Sequence, residues 1–191
     1  EDLAGAQIFP SPRSAELGNS SGAKPLLVST TQPAATEVPE TGRVYGRERE
    51  QTQLAAWLIA ERCKVVALLG IGGVGKTTLA AATAQSVASH FDRVFWRSLL
   101  NAPPLDELLR NLLQRLSGEQ LHDLPTALDR QLALLLNYLR QRRCLLILDN
   151  MESLLRHDQP GQMRPGYEGY AQLLRHLAEQ EHHSCLLITS R

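Results

Sequence analysis

The sequence predicts a three-layer α/β domain built on a parallel sheet and preceded by a disordered tail. Short apolar runs alternate with longer segments in which leucines recur at helical spacing, the pattern of strands that alternate with covering helices. The runs are apolar at successive positions, which indicates strands buried on both faces of a parallel sheet. Near Thr41 a stretch rich in Ser, Thr, Pro and Gly gives way to this periodic sequence. The folded domain is therefore predicted at 41–191.

The tail, residues 1–40, contains few large apolar side chains, and these recur at no regular period. Such a stretch cannot bury enough surface to offset the entropy lost on ordering it. We interpret residues 1–40 as a flexible linker rich in Pro, Ser and Thr.

The periodic part contains predicted strands at 65–69, 94–98, 145–148 and 186–189. Helices are predicted at 46–60, 76–90, about 125–142 and 170–180, with another that opens at Pro103-Pro104 and carries leucines as far as Leu116. The leucine stripes last only a few turns, so they favour packing on the sheet over a dimerising zipper.

Composition excludes several classes of partner. Lys and Arg together number 20, as do Asp and Glu, so the net charge is zero and no overall basic field favours nucleic acid or an anionic membrane. The apolar runs fall far short of the roughly 20 residues that span a bilayer, and the N-terminal residues do not resemble a signal peptide. We expect a cytoplasmic protein without nucleic-acid or membrane partners.

The cysteines and histidines offer no metal site. Cys63, Cys144 and Cys185 lack paired metal-ligand spacing and sit beside apolar runs, which predicts buried, reduced thiols and suits a reducing cytoplasm. The histidines without a partner at ligand spacing are predicted at solvated surface positions: His122, His157, His176, His182 and His183.

The strongest motif follows the first strand of the domain. It matches the phosphate-binding P-loop pattern and consists of Gly70, Ile71, Gly72, Gly73, Val74, Gly75, Lys76 and Thr77. The glycines can adopt backbone angles that turn successive N–H groups toward phosphate oxygens, and the N-terminus of the following helix adds partial positive charge. The motif predicts that the chain holds the phosphates of ATP or ADP.

Three side chains of this motif have predicted roles. Lys76 reaches the β and γ phosphates, and the Thr77 hydroxyl is a ligand of Mg²⁺. Thr78 supplies a further phosphate contact.

A second candidate follows the third strand. Four apolar residues lead into Asp149, the form of a Walker B strand whose carboxylate binds Mg²⁺ through water. Asn150 stands where many such ATPases carry a second acid, and an amide cannot act as a general base. Glu152 is the nearest carboxylate that could substitute, and the alternative is a plain acid at the start of a helix.

The last strand ends in Thr189-Ser190-Arg191. Arg191 could sense a γ-phosphate through charge-assisted hydrogen bonds. Its alternative role is that of an ordinary surface arginine.

Five motifs in this order resemble the NB-ARC group of STAND ATPases, the signalling switches of apoptosis adaptors, plant resistance proteins and bacterial regulators. They are V-Y-G-R-E at 44–48, the P-loop segment at 72–80, F-D-R-V-F-W at 91–96, the Asp149 strand and the Arg191 strand. The resemblance implies a P-loop NTPase with an ASCE-type strand order, in which the Arg191 strand lies between the P-loop and Asp149 strands. It implies a fifth strand beyond Arg191. We expect 41–191 to be the N-terminal part of an NB-ARC domain in a longer bacterial signalling protein.

The resemblance also implies roles for individual residues. Tyr45, Gly46 and Arg47 would lie against the adenine. Asp149 would serve the metal and Arg191 would sense phosphate. Phosphate and Mg²⁺ would be held by Gly73, Gly75, Lys76, Thr77 and Thr78. Phe95 and Trp96 are expected in the core.

The implied function is a regulatory ATPase in which ADP locks a closed state and ATP opens it for self-oligomerisation, with sensor and effector domains outside this segment. Asn150 leaves a scaffold that binds nucleotide without hydrolysis as an alternative. A P-loop small-molecule kinase is a third alternative. The glycine-rich motif is also similar to that of a partitioning-type ATPase, but Ile71 stands where such an enzyme carries its characteristic early lysine. Without the fifth strand, the P-loop strand is expected to be an exposed edge, so isolated 41–191 should bind nucleotide weakly.

Overall fold

The structure, a computed structural model, describes residues 7–10, 38–42, 44–118, 123–159 and 161–191. Its strands are β1 (Gln7–Pro10), β2 (Val65–Leu69), β3 (Arg93–Ser98), β4 (Cys144–Asp149) and β5 (Cys185–Ser190). Its α-helices are α1 (Glu48–Ile59), α2 (Lys76–Val87), α3 (Leu105–Ser117), α4 (Leu128–Gln141) and α5 (Glu168–Glu179). Short 3₁₀ helices at Ala88–His90 and Met151–Leu154 follow α2 and β4.

The strands form one sheet in the order β1-β2-β5-β4-β3. The four strands of the periodic part are parallel, and β5 lies between β2 and β4. This arrangement confirms the predicted α/β class and the strand order that the resemblance implied. Every residue of β4 and β5 is buried, as expected for central strands covered on both faces.

The core has two parts, one on each face of the sheet. Alternate residues of β4 enter opposite parts, with Leu145 and Ile147 on the α1 and α2 side and Leu146 and Leu148 on the side of α3, α4 and α5. This is the period of two that a strand imposes on its side chains. The leucine stripes of α3 and α4 are buried in the second part, so they pack in the core as predicted.

The aromatic pair of β3 divides between these two parts. Trp96 is buried among the side chains of the α1 and α2 side, whereas Phe95 is half-buried against the other part. Both pack in the core, as expected.

Among the described residues no helix is long and apolar enough to cross a bilayer.

The edge of the sheet corrects one prediction. The P-loop strand β2 is not an exposed edge, because β1 pairs with it in antiparallel register from Gln7↔Leu69 to Pro10↔Val66. Residues 7–10 therefore form a strand within the segment interpreted as a flexible linker. The unpaired backbone N–H and C=O groups of an edge strand can bond to almost any extended segment. The amino-acid composition of residues 1–40 therefore does not reveal that 7–10 pair with β2. The other predicted linker residues at 1–6 and 11–37 lie outside the described residues.

Some helix boundaries also differ from the prediction. The helix expected from about 125 begins at Leu128, because the chain before it is extended and the Gln131 side-chain amide donates to the Pro125 carbonyl at 2.7 Å. The helix expected over 76–90 ends at Val87 and tightens into a 3₁₀ turn. Side-chain hydrogen bonds of this kind leave no periodic signal in the sequence.

The cysteines match the prediction and one histidine does not. All three cysteines are buried thiols, and burial raises the pKa of Cys144 to about 12. His182 is buried rather than solvated, because it fills the turn between α5 and β5. His157 and His183 are exposed and His176 is half-buried. His122 lies outside the described residues.

The buried imidazole of His182 is held as the neutral form. Its Nε2 lies 2.8 Å from the Leu177 carbonyl, to which it donates, and its Nδ1 accepts from the Ser184 N–H at 3.2 Å. Burial is the main cause that lowers the pKa of His182, with a smaller lowering from Lys64. The unfolded chain therefore binds a proton more readily than the folded chain at this residue.

We predict that this histidine makes stability fall in mild acid. Its contribution should be complete above its ordinary pKa of 6.5 and decline as the pH falls below that value, because only the unfolded chain then gains the proton. Urea unfolding from pH 7.5 to 5.5 should show a smaller decline in His182→Gln than in the wild type. His183→Gln, at the exposed neighbour, is the control. Equal declines in wild type and His182→Gln would contradict the prediction.

We predict that β1 protects the sheet edge. A fragment of residues 41–191 should melt at a lower temperature and associate more than the whole chain, because its β2 edge would present unpaired N–H and C=O groups. Thermal denaturation and sedimentation velocity at matched concentrations would measure both effects. A fragment that stays monomeric and melts with the whole chain would show that β1 contributes nothing to this edge.

Candidate functional site

The loop between β2 and α2 has the backbone of an anion site. Gly73 and Gly75 have φ of +78° and +81°, the left-handed region that glycine enters at little cost. Gly75 is also the N-cap of α2, and the first turn of this helix has neither a side-chain cap nor an acidic residue. The first N–H groups of α2 therefore lack a side-chain acceptor, and the helix dipole favours an anion there.

Lys76 lies across the start of this loop. It is buried, and its ammonium donates to the carbonyls of Gly70 and Ile71 at 2.8 and 3.0 Å. These bonds hold the ammonium beside the glycine backbone. A buried cation whose partners in the described part of the chain are neutral carbonyls favours the binding of an anion in the same loop.

Asp149 forms the second part of the site. Its side chain is buried at the carboxyl end of β4. Oδ1 accepts from the Thr77 hydroxyl at 2.9 Å and from the Thr189 hydroxyl at 2.6 Å, and Oδ2 accepts from the Asn150 amide at 2.9 Å. Residues after β2, in β4 and in β5 thus meet at one carboxylate.

Arg191 directly follows β5 and lies beside the glycine loop. Its guanidinium packs against the loop, since a Cβ added to Gly72 would be 3.3 Å from both Cζ and Nε of Arg191. Its Nε is 3.2 Å from Glu152 Oε1. The remaining surface of the Arg191 side chain is largely exposed, so the guanidinium is accessible to a ligand in the loop.

The segment before α1 approaches the loop from the other side. A Cβ added to Gly75 would be 4.0 Å from Arg47 Nη1, and this nitrogen is buried without a hydrogen-bond partner among the described residues. Gly46 has φ of +75° and its N–H donates to Glu48. Tyr45 is 79% exposed and does not share the loop contact of Arg47.

An open cavity of about 600 Å³ lies between this segment and α2. It is lined by Thr41, Gly42, Val44, Tyr45, Glu48, Gln51, Ala82, Gln85 and Ser86. Its α2 residues lie in the second half of that helix, and the others belong to the segment before α1 and to α1 itself.

The oxygen donors of the site fit Mg²⁺. Hard divalent cations take carboxylate and hydroxyl oxygens, and Mg²⁺ commonly uses one or two protein ligands together with phosphate oxygens and water. Thr77 and Asp149 offer this set, 2.9 Å apart. No cluster of three His, Cys, Asp or Glu side chains that could cage a metal occurs in the described part of the chain.

Comparison with protein families identifies the domain. The family model described as "NB-ARC domain" matches residues 47–167. This match covers more than half of the chain. The chain belongs to the NB-ARC family. It therefore carries a nucleotide-binding signalling domain.

The relatives of this NB-ARC domain are bacterial and plant proteins. The chain is 43% identical, over 81% of its length, to an uncharacterized WD repeat-containing protein of Nostoc sp., of which it spans 13%. It is 33% identical over 57% of its length to disease resistance protein RGA2 of Solanum bulbocastanum, spanning 12% of that protein. It is 32% identical over 46% of its length to disease resistance protein RPM1 of Arabidopsis thaliana, spanning 10%. The chain thus covers a small part of the proteins it matches.

The NB-ARC site includes residues that the sequence analysis did not assign. Thr189 donates to Asp149 and accepts from the Asn150 N–H at 3.0 Å, so it links the ends of β4 and β5. Ser98, at the end of β3, is 3.5 Å from the Asn150 amide. Both are polar residues at carboxyl ends of parallel strands, and that position was the signal that could have identified them.

We predict that Gly73→Ala weakens nucleotide binding through backbone strain. Gly161 is a matched control, because its φ of +79° is nearly that of Gly73 and neither glycine has an atom within 4 Å of an added Cβ. Each alanine should cost about 1–2 kcal/mol of strain. Calorimetric titration with ADP should show lower affinity only for Gly73→Ala. Equal ADP affinity in the two variants would contradict a role of this backbone in binding.

Proposed function

We propose that this NB-ARC domain is a regulatory switch that binds ATP or ADP with Mg²⁺ and couples nucleotide exchange or hydrolysis to oligomerisation and signalling. The observation that carries the proposal is the convergence of Lys76, Thr77, Asp149 and Arg191 at one edge of the sheet. Lys76 and Thr77 begin α2, Asp149 ends β4, and Arg191 follows β5. A cation, a hydroxyl, a carboxylate and a guanidinium around a glycine loop are what a nucleoside triphosphate with its metal requires.

The loop and α2 would hold the phosphates. Backbone N–H groups of 70–75 would surround the phosphate oxygens, and Lys76 would exchange its carbonyl partners for charged oxygens. Thr77 and Asp149 would hold Mg²⁺, which neutralises phosphate charge when bound. Thr78, exposed on the first turn of α2, would add a phosphate contact.

The base would lie beside the segment that precedes α1. Tyr45 of this segment lines the open cavity against α2, which supports an adenine position near the turn of Tyr45 and Gly46. Arg47 reaches toward Gly75, and its Nη1, which has no hydrogen-bond partner among the described residues, would face the phosphates. The backbone of the turn would then contact the adenine. Arg191, against Gly72 and largely exposed, would distinguish ATP from ADP through the terminal phosphate.

Hydrolysis depends on the environment of Asn150. Its amide donates to Asp149 at the position where a second carboxylate, acting as a general base, would take a proton from the attacking water. This observation favours, as a second candidate, a domain that binds nucleotide and never hydrolyses it. In the first candidate the reaction is slow, which suits a switch whose state must persist. A P-loop kinase has less support, because β5 separates the strands of the P-loop and Asp149.

The partners of the switch would lie outside the described residues. Relatives named as disease resistance proteins and as a WD repeat-containing protein support a domain that works between sensor and effector regions. A cytoplasmic location would suit the three buried thiols. Self-oligomerisation would follow nucleotide exchange in the intact protein.

The test compares two buried lysines of the same strand–loop unit. Lys64 precedes β2 and Lys76 follows the loop, and each is 8% exposed. Lys76→Ala should lower ADP affinity about 10- to 100-fold, the loss expected for charge-assisted hydrogen bonds, whereas Lys64→Ala should leave it near the wild-type value. Isothermal titration calorimetry on the intact protein measures both. Unchanged ADP affinity in Lys76→Ala would overturn the proposed site.

Single-turnover assays with ATP on the same protein separate the two candidates. Phosphate release above the Lys76→Ala background supports a regulatory ATPase. Release that equals this background, with normal ADP binding, leaves the scaffold that does not hydrolyse.

A further inference from the structure

An ion pair links the Arg191 guanidinium to the residues that follow Asp149. Arg191 Nε is 3.2 Å from Glu152 Oε1, and the side chains are 69% and 23% exposed respectively. The pair therefore joins an accessible cation to a largely buried carboxylate. Its two members follow adjacent parallel strands, β5 and β4.

The turn after Asp149 directs Glu152 toward this position. Asn150 has φ of +64°, a left-handed conformation that Asn tolerates better than most residues. The chain then enters the 3₁₀ helix Met151–Leu154, whose Ser153 N–H donates to the Asn150 carbonyl at 3.1 Å. This tight turn keeps Glu152 at the edge of the sheet where β5 ends. An amide at 150 thus has a structural use in the turn.

The carboxylate of Glu152 is only half satisfied. Oε1 faces Arg191, whereas Oε2 is buried and has no hydrogen-bond partner among the described residues. A buried carboxylate oxygen without a donor is costly. The carboxylate therefore depends on Arg191 for its charge compensation, and Arg191 is the same group that lies against Gly72.

We infer that Glu152 is a positioning residue that sets the preference of the site for ADP over ATP, by competing with the terminal phosphate for Arg191. The inference rests on the proposed nucleotide site. With ADP the guanidinium keeps its carboxylate partner beside Gly72. A terminal phosphate offers a stronger anionic acceptor, and binding it through Arg191 leaves Glu152 without compensation. The binding free energy of ATP therefore includes the cost of an uncompensated Glu152 carboxylate, whereas that of ADP does not.

Removing the charge of Glu152 should remove this cost, and the change should be measurable in the affinity for an ATP analogue relative to the affinity for ADP. Glu152→Gln keeps the size of the side chain and removes the charge, so Arg191 becomes free to contact the terminal phosphate. Affinity for β,γ-imido-ATP relative to ADP should rise about two- to fivefold, the range expected for a partly exposed ion pair. Glu152→Asp, which keeps the charge, should return the ratio toward the wild type.

The coupling through Arg191 has its own test. Arg191→Gln should lower the ratio of β,γ-imido-ATP to ADP affinity, and in that background Glu152→Gln should change the ratio no further. Titration calorimetry with Mg²⁺ on the intact protein, with melting curves of each variant, measures these ratios. Glu61→Gln is the control, because this exposed glutamate lies at the opposite end of β2, between α1 and β2.

Four outcomes would overturn the inference. A wild-type ratio in a folded Glu152→Gln that binds ADP would remove Glu152 from nucleotide discrimination and leave the nucleotide site intact. An equal rise with Arg191 replaced would show that Glu152 does not act through Arg191. A wild-type protein that binds neither ADP nor β,γ-imido-ATP would refute the proposed function and this inference together. If Glu152→Gln does not fold, a wild-type ratio in the Arg191→Gln variant would also refute the inference.

Discussion

A carboxylate buried at the end of a strand is costly unless hydrogen-bond donors surround it, and in this protein Asp149 receives three. The donors are Thr77, Thr189 and Asn150, which come from α2, from β5 and from the residue that follows β4. Satisfying this one group brings the start of the P-loop helix and the ends of two strands into contact. The edge of the sheet where nucleotide chemistry is expected is thus organised by a local requirement for hydrogen bonds.

The position of β5 makes this convergence possible. Because β5 lies between β2 and β4, Thr189 is next to Asp149 and Arg191 is next to the glycine loop. Arg191 follows β5 directly, so the same strand supplies a buried hydroxyl and an accessible guanidinium. Had β2 and β4 been neighbours, the carboxylate and the glycine loop would have met without a guanidinium between them. The strand order therefore places Arg191 where the proposed sensing of a terminal phosphate needs it.

Much of the energy that holds this edge in place comes from elsewhere in the domain. Leu145 and Ile147 face α1 and α2, while Leu146 and Leu148 face the other three helices, so β4 is fixed from both sides. Central strands anchored in this way can carry a half-satisfied carboxylate such as Glu152 at their ends. The exposed Arg191 side chain is the least constrained group of the cluster, which suits a residue that changes partners.

The local features of this protein could be predicted from short stretches of its sequence. The P-loop glycines, Lys76 and the apolar runs of the parallel strands were evident because their signals lie in adjacent residues with a fixed period or pattern. The burial of the leucine stripes and of the three cysteines followed for the same reason. Asp149 was identified because four apolar residues precede it.

Contacts between residues far apart in the chain became evident in the folded structure alone. The pairing of Gln7–Pro10 with β2 and the burial of His182 depend on backbone groups far along the chain or on a turn that closes around a side chain. The contact of Thr189 with Asp149 and the ion pair of Glu152 with Arg191 each join residues about 40 positions apart. Composition and periodicity describe a segment and its own faces, whereas the partner of a polar atom is set by which strands become neighbours.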